Sequence, residues 1–337
     1  MKSPITGKEM VLKNEPRKLS FRKEEFIISY HYYLCKDTRE QFTTTEIDEL
    51  NMTQLYNQYR EKYNLPFPEE IVSIREKYNL PVTKMSEILG FGVNSYRNYE
   101  NGEVPSQANA RLIQLADDPK KFKDLVKLSG SLDAKTMQKL LDKIDRMIEE
   151  EDRILISFDV NDYLLDGKRS DEYTGYRRSD LSKLTEMVVY FTERLEPWKV
   201  MLNKLLFYAD FLCFKRTGYS MSGARYRAIN MGPVLNKYDS IFEYMEDHKD
   251  VDVVRTQYQD NIGEQFKQHK GRRFDEEKFD EIELAILKEV SNQFLNTSTN
   301  SIKELSHRER AWKENEKERK IISYKDYAFD IVGILII

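Results

Sequence analysis

The chain has 337 residues, of which 40% are hydrophobic and 33% are charged, and its formal net charge is −4 at pH 7. This length and apolar content are enough for two or three domains with hydrophobic cores. The slightly acidic balance excludes a global attraction to nucleic acid or to an anionic membrane, so DNA binding must come from a local face. Cys35 and Cys213 give no disulfide pattern, and no signal peptide or membrane span is predicted, so we expect a cytoplasmic protein.

Residues 1 to about 50 predict a small β unit with the outline of a zinc ribbon. The run from Glu25 to Leu34 is rich in aromatic and β-branched residues, as strands are. In a ribbon of this kind, KSPITGKEM and YYLCKDTREQFT would each carry Cys-x-x-Cys, so that four thiolates bind one tetrahedral ion. The four equivalent positions hold Ser3, Thr6, Cys35 and Thr38.

The ligand set of this ribbon is therefore incomplete. One thiolate and three hydroxyls cannot form a closed zinc site, even with His31 close in sequence. We expect no bound metal and no other cofactor. We expect the β unit to form without metal, held together by aromatic and aliphatic side chains: Phe26, Ile28, Tyr30, Tyr32 and Phe42.

Two breaks divide the rest of the chain. Residues Thr45 to Tyr63 show helical periodicity, and the breaker cluster LPFP at 65–68 ends that segment. The polar stretch 157–180 contains two glycines and predicts a linker. The expected parts are a β unit with a helix (1–64), a DNA-binding region of short helices (68–128), a helix with a linker (129–180) and a C-terminal domain (181–337).

The prediction for the whole chain is a mainly α protein with a small N-terminal β unit. From Leu181 on, the pattern is mostly helical, with one short extended region around Tyr226 to Asn230. An amphipathic stretch from Leu132 to Ile148 carries an apolar stripe. That stripe is either a contact between two copies of the chain or a face that packs on its own domain.

The segment LPVTKMSEILGFGVNSYRNYENG, residues 80–102, predicts a helix-turn-helix. Gly90 permits the turn because it has no Cβ. The side chains expected to face inward are Met85, Ile88, Leu89, Phe91, Tyr96 and Tyr99. The outward set offers amide, guanidinium and hydroxyl groups that can bond base edges and phosphates. The candidate DNA-binding residues are Lys84, Val93, Asn94, Ser95, Arg97 and Asn98.

An ordinary helical hairpin with a polar face is the alternative reading of this segment. The region from Glu69 to Lys127 is neutral, with nine Lys and Arg against nine Asp and Glu, whereas DNA-binding domains usually concentrate basic residues. The ending YENG at 99–102 favours DNA binding. With this ending, the segment resembles the Xre-like helix-turn-helix family, whose recognition helix ends in such a Glu-Asn-Gly step.

The order of ribbon, helix and helix-turn-helix resembles the MqsA/YgiT type of antitoxin. The likeness includes Gly7 after the second ligand position and QFT at 41–43 after the second half of the ribbon. It implies an N-terminal domain that holds a toxin through a zinc-bound fold, followed by a domain that binds operator DNA. Asn94 matches a base-contacting position of the family. Asn98 stands where the family tends to have arginine, and Arg97 lies next to it as a substitute.

The C-terminal half carries several spaced motifs. KLLFYAD at 204–210 is followed by KRTG at 215–218, YRA at 226–228 and GPV at 232–234. On the residues alone, we expect Asp210 and Arg225 to form a partly buried ion pair. From about Leu181 to Asp330 the chain resembles the Panacea, or SocA-like, domain. This resemblance implies a helical domain that neutralises a toxin, often encoded next door, by direct binding, although one relative acts as a proteolytic adaptor.

The function expected from the sequence is that of an antitoxin, and an enzyme is the weakest class. The four histidines share no ligand-like spacing, and no nucleophile elbow or phosphate-binding loop is present in the sequence, so no catalytic residue is predicted. The expected partners are a cognate toxin, operator DNA and a second copy of the chain, since palindromic operators require two reading heads. The residues that contact the toxin are not identified. The alternatives are a transcriptional regulator with a C-terminal sensor domain and a proteolytic adaptor for a toxin.

Overall fold

The computed structural model describes residues 1–154, 160–166, 169–258 and 261–334. The chain forms two compact units, which comprise residues Met1–Phe158 and Asp159–Ile337. Helices make up 52% of the structure, and a three-stranded antiparallel sheet lies at the N-terminus. The prediction of a mainly α protein with an N-terminal β unit is confirmed. None of the described helices combines the length and the apolarity that crossing a bilayer requires.

The first unit begins with the sheet and continues with helices. Its elements are β1 (Val11–Phe21), β2 (Glu24–Leu34), β3 (Gln41–Phe42), α1 (Thr45–Tyr63), α2 (Pro68–Lys77), α3 (Val82–Ile88), α4 (Ser95–Glu100), α5 (Gln107–Asp117), α6 (Pro119–Ser129) and α7 (Ala134–Ile154).

Helix α1 covers one edge of the N-terminal sheet. β1 and β2 pair along their whole length, and β3 pairs only with the end of β2. Where β3 is absent, amide side chains of α1 bond the main chain of β2. Asn51 exchanges hydrogen bonds of 2.8 and 3.0 Å with the backbone of His31, and Gln54 exchanges bonds of 3.0 and 2.9 Å with the backbone of Ser29. Since an uncovered strand edge invites pairing with other chains, α1 completes and protects the sheet.

The apolar stripe of α7 packs on the helix-turn-helix. Leu140, Leu141 and Ile144 belong to the same buried cluster as the inner faces of α2 to α6, and Met137 and Met147 pack against that cluster. Of the two expectations for this stripe, the structure shows packing within its own unit.

The second unit is built around the buried helix α10. Its elements are α8 (Val160–Leu165), α9 (Leu181–Leu195), α10 (Lys199–Thr217), β4 (Tyr226–Ile229), β5 (Gly232–Leu235), α11 (Tyr238–Asp247), β6 (Val251–Tyr258), β7 (Asn261–Gln268), α12 (Glu281–Phe294), α13 (Thr299–Ser306), α14 (Arg310–Lys313) and α15 (Tyr324–Tyr327). Two 3-10 turns lie at Glu276–Lys278 and Ala328–Asp330.

The antiparallel hairpin β6–β7 is absent from the sequence prediction, which expects only one extended region near Tyr226. Its strands alternate apolar and polar residues weakly, because most of their side chains face water. Val251 and Phe266 are the buried exceptions, and the N–H of Phe266 donates to the carbonyl of Pro197 at 2.9 Å. These two side chains and this backbone hydrogen bond help to attach the hairpin to the body of the unit.

Residues 169–180, predicted as part of a linker, pack into the second unit. Thr174 and Tyr176 are buried, and the hydroxyl of Ser220 donates to the carbonyl of Thr174 at 2.6 Å. The segment has the polar composition of a linker, but its polar groups form hydrogen bonds inside the protein and not with water. Residues 157–159 and 167–168 of the predicted linker lie outside the described residues.

Candidate functional site

The turn of the helix-turn-helix is formed as the sequence indicates. Gly90 has φ +70°, in the left-handed region that favours glycine, and it ends α3. Tyr96 then fixes the second helix: its hydroxyl donates to the carbonyl of Ile71 at 2.8 Å, and its N–H donates to the hydroxyl of Ser86 at 3.3 Å. Tyr96 and Tyr99 are buried, as predicted. Helix α4 is thereby held in one orientation by α2 and α3.

The residues of the YENG ending anchor the end of α4. The Arg75 guanidinium donates to the Glu100 carboxylate at 2.6 Å, in a largely buried ion pair. The amide of Asn109 donates to the hydroxyl of Tyr99 at 2.8 Å, and Arg60 of α1 donates to the carbonyl of Gly102 at 2.6 Å. These contacts give the family signature a structural role, because they position α4 without occupying its outer face.

The predicted DNA-binding residues differ in how far their side chains are exposed. Val93 is 73% exposed, and Asn94, Arg97 and Asn98 are also exposed. Ser95, the first residue of α4, is half-buried. The sequence predicts a helix that follows Gly92 and runs to about Asn101, but α4 begins only at Ser95, so Val93 and Asn94 lie in the turn that precedes it. The exposed set forms one polar face that starts in this turn and continues along α4.

Lys84 and Arg97 differ in whether their charges already have a partner within the protein. Lys84 of α3 is half-buried and forms an ion pair with Glu87 at 2.8 Å. The guanidinium of Arg97 forms no hydrogen bond or ion pair with any described residue. The side-chain amide of Asn94 forms no capping hydrogen bond with α4. Other cations of this region are already paired: Arg75, Lys77, Lys121 and Lys123. Arg97 is thus a cation of the recognition helix that is free to bond a phosphate or a base.

The four positions equivalent to zinc ligands keep the backbone turns of a ribbon. The hydroxyl of Ser3 accepts hydrogen bonds from the N–H groups of Ile5 and Thr6, both at 3.3 Å. The Thr38 hydroxyl accepts from the N–H of Glu40 at 3.4 Å, and the Cys35 carbonyl accepts from the N–H of Arg39 at 2.9 Å. Each half of the frame is closed by a hydroxyl where a zinc ribbon would present a thiolate.

Cys35 lies where the two halves meet. It is buried, and its Sγ lies 3.7 Å from Oγ1 of Thr6. Hydrogen bonds from Ser3, Thr38 and Thr6 lower the pKa of this thiol to about 6. These residues do not fit a structural zinc, because such a site needs four nitrogen or sulfur ligands. Within the described ranges, no group of three or more His, Cys, Asp and Glu residues is placed to hold a metal ion.

In the second unit, the Lys204 of the KLLFYAD motif is buried inside the protein. Its ammonium donates to the carbonyl of Pro233 at 2.7 Å. Gly232 has φ +94°, and a Cβ there would lie 2.6 Å from Cε of Lys204. Burial and the neighbouring charge of Lys303 lower the pKa of Lys204 to about 7. The lysine and the glycine–proline motif are therefore two halves of one internal contact that fixes β5 on α10.

Asp210, at the other end of the motif, is fully buried. Its carboxylate accepts hydrogen bonds from the N–H groups of Met221 and Ser222 at 2.8 Å and from the hydroxyl of Tyr226 at 2.8 Å. Burial raises the pKa of Asp210, while these hydrogen bonds act in the opposite direction. Asp210 organises the loop after α10.

The predicted ion pair between Asp210 and Arg225 is wrong. Arg225 pairs with Asp171 at 2.7 Å, whereas Asp210 is satisfied by backbone N–H and hydroxyl donors. The prediction failed because Asp171 belongs to the segment taken as a linker. Both residues have structural partners, and the motif residues of this unit thus build its interior.

A solvent-open groove of about 970 Å³ lies on the surface of the second unit. It is bordered by the start of α10, the β4–β5 hairpin, the β6–β7 hairpin and the start of α13. We call it the apolar groove, after the side chains that line it: Trp198, Ile229, Met231, Val234, Tyr238 and Ile262. Sequence reasoning missed these residues, since they come from distant segments and four of them lie in hairpins.

Comparison with known families agrees with this division into units. Residues 1–127 match the model of the antitoxin component of a bacterial toxin–antitoxin system, MqsA. Residues 202–313 match the model of the antitoxin SocA-like, Panacea domain. A search of curated proteins gives no significant match. Both families are antitoxin families, which supports an antitoxin of a toxin–antitoxin system. The chain joins an MqsA-type antitoxin region to a SocA-like Panacea domain, and the predicted fusion is confirmed.

Proposed function

We propose that this protein is a cytoplasmic antitoxin with two jobs. Residues 181 to about 330 bind and mask a toxin encoded by the neighbouring reading frame. Residues 69 to 127 bind the operator of the shared operon and repress it. The observation that carries the proposal is the presence of two antitoxin-family regions in one chain. Both jobs are binding functions and need no catalytic group.

DNA binding is assigned to the exposed face of α4 and the turn before it. Asn94 can form paired hydrogen bonds with adenine, and Arg97 can do so with guanine. Neither side chain is engaged by another described residue, so both are available to a duplex. We propose that the chain acts as a homodimer, because a palindromic operator presents two half-sites.

Toxin binding is assigned to the second unit and not to the ribbon. The MqsA resemblance implies a toxin-holding domain built on zinc, and the residues at Ser3, Thr6 and Thr38 do not fit that metal. The Panacea domain supplies a second antitoxin module in the same chain. The ribbon then retains a structural role, since α1 contacts the end of the recognition helix through Arg60.

Co-expression with the neighbouring gene tests the proposal. We expect that gene alone to arrest growth and the full chain to restore it while the amount of toxin stays constant. A fall in toxin level together with rescue would instead indicate a proteolytic adaptor. A neighbouring product without toxicity would favour a transcriptional regulator with a sensor domain.

A further inference from the structure

We propose that the apolar groove is the surface on which the toxin docks, and that the toxin contributes an apolar segment flanked by lysine or arginine. This inference rests on the proposed antitoxin function and specifies where and how the partner is recognised. It rests on three features of the second unit. Apolar side chains are exposed in the groove, two polar side chains that line it are already bonded, and acidic side chains beside it have no described partner.

The groove exposes apolar side chains on two sides. Met231 follows β4 and is 48% exposed, and Ile262 in β7 is 64% exposed. The half-buried Trp198 also lines the groove. Apolar side chains that converge from separate hairpins onto one groove are typical of a protein-binding surface, and tryptophan is enriched at the energetic centres of such surfaces.

Two polar side chains that line the groove, those of Asn203 and Lys199, are already engaged. The Asn203 amide donates to the carbonyl of Lys199 at 3.0 Å and accepts from the N–H of Leu235 at 3.0 Å. The ammonium of Lys199 is held by the carboxylates of Asp239 and Glu264. A small polar ligand would need such groups to be free. An apolar segment of a protein partner needs only apolar surface, which the groove offers.

The rim beside the groove is acidic. Helix α11 presents Glu243 and Asp247 one turn apart, both exposed and neither paired with a described residue. The cation Arg255 on the same rim is already paired with Glu246 and Glu264. On the side of the groove formed by α11, the uncompensated charge is therefore negative. A partner with basic residues on either side of its apolar segment complements both features.

The first test uses substitutions at the apolar rim in the full chain. The probe is the purified product of the neighbouring reading frame, and its affinity is measured by titration. We expect Met231→Glu and Ile262→Glu each to weaken binding by at least about tenfold, because each places a charge in an apolar contact. The matched control is Ile282→Glu in α12, which changes a side chain that is 51% exposed and lies outside the groove lining.

The second test reverses the charge of the rim. We expect Glu243→Lys with Asp247→Lys to weaken binding and to reduce its sensitivity to salt, since screening acts on the attraction between opposite charges. The control is Glu276→Lys with Glu277→Lys, an exposed acidic pair in the 3-10 turn with no described partner. All substituted side chains are exposed, so urea unfolding followed by tryptophan fluorescence should not change.

The outcomes distinguish the groove from the function. If the wild-type chain binds the neighbouring product and the groove variants bind it as tightly as Ile282→Glu does, the groove is not the docking surface and the antitoxin proposal stands. Unchanged salt dependence in the charge-reversed rim variant contradicts the basic character of the partner segment. If the wild-type chain does not bind that product, the proposed function fails and the groove proposal fails with it.

Discussion

The hydroxyls of Ser3, Thr6 and Thr38 each accept a hydrogen bond from a backbone N–H two residues further along the chain. Together with the buried thiol of Cys35 they close the two turns of the ribbon. Hydrogen bonds among these four positions and the amide contacts of α1 replace the stabilisation that a metal would supply. At these four positions the side chains therefore form a hydrogen-bonded cluster.

Restoring the thiolates should restore the metal site. We expect the triple variant Ser3→Cys, Thr6→Cys, Thr38→Cys to bind one zinc ion per chain, because four thiolates then converge on the position of Cys35. Elemental analysis of purified protein measures this. The wild-type chain should carry no stoichiometric zinc, and Cys35→Ser in the triple variant should weaken binding. A zinc-free triple variant would show that the four positions do not share one centre.

Lys204 should make the second unit more stable as pH rises. Its folded pKa of about 7 lies below the ordinary lysine pKa of 10.5, so between these values the unfolded state holds a proton that the folded state lacks. Stability therefore increases with pH in this window, by about 2 kcal/mol from about pH 7 to about pH 9. Lys204→Met should remove this increase.

Urea unfolding followed by tryptophan fluorescence measures this effect, because both tryptophans of the chain, Trp198 and Trp312, lie in the second unit. The difference between the wild type and Lys204→Met cancels the titration of other groups, such as the Cys213 thiol, whose pKa burial raises to about 12. Parallel pH profiles for the two proteins would mean that Lys204 stays charged inside the fold.

At the scale of elements, local patterns predicted the helix-turn-helix well. Gly90, the buried tyrosines and the exposed Asn94 and Arg97 all follow from helical periodicity and turn chemistry. Such patterns depend on residues close in sequence. The helix-turn-helix could therefore be predicted from the sequence alone, apart from the residue at which α4 begins.

Elements whose roles depend on distant partners were not predicted. Asn51 and Gln54 look like ordinary polar helix residues until β2 is placed beside them. The segment around Thr174 looks like a linker until Ser220 and Arg225 are placed against it. The apolar groove has the same origin, because its lining is assembled from six elements. Tertiary contacts, absent from any local pattern, decide these roles.

For the whole molecule, the two compact units match the two proposed jobs. The polar face of α4 belongs to Met1–Phe158, and the apolar groove belongs to Asp159–Ile337. Substitutions confined to one unit should therefore affect one job. The MqsA-type and Panacea regions likewise fall in different units. The central claim is that operator binding and toxin binding belong to different units of the chain and can be lost separately.

The double variant Asn94→Ala, Arg97→Ala in the full chain tests that claim most directly, with operator binding and growth rescue measured side by side. We expect operator affinity to fall at least about thirtyfold, because two base contacts are lost, while rescue from the neighbouring toxin stays at the wild-type level. Lys139→Ala, which removes an exposed cation of α7 outside residues 69–127, is the control and should change both little. Loss of rescue together with operator binding, or operator binding that survives the double substitution, would contradict the account.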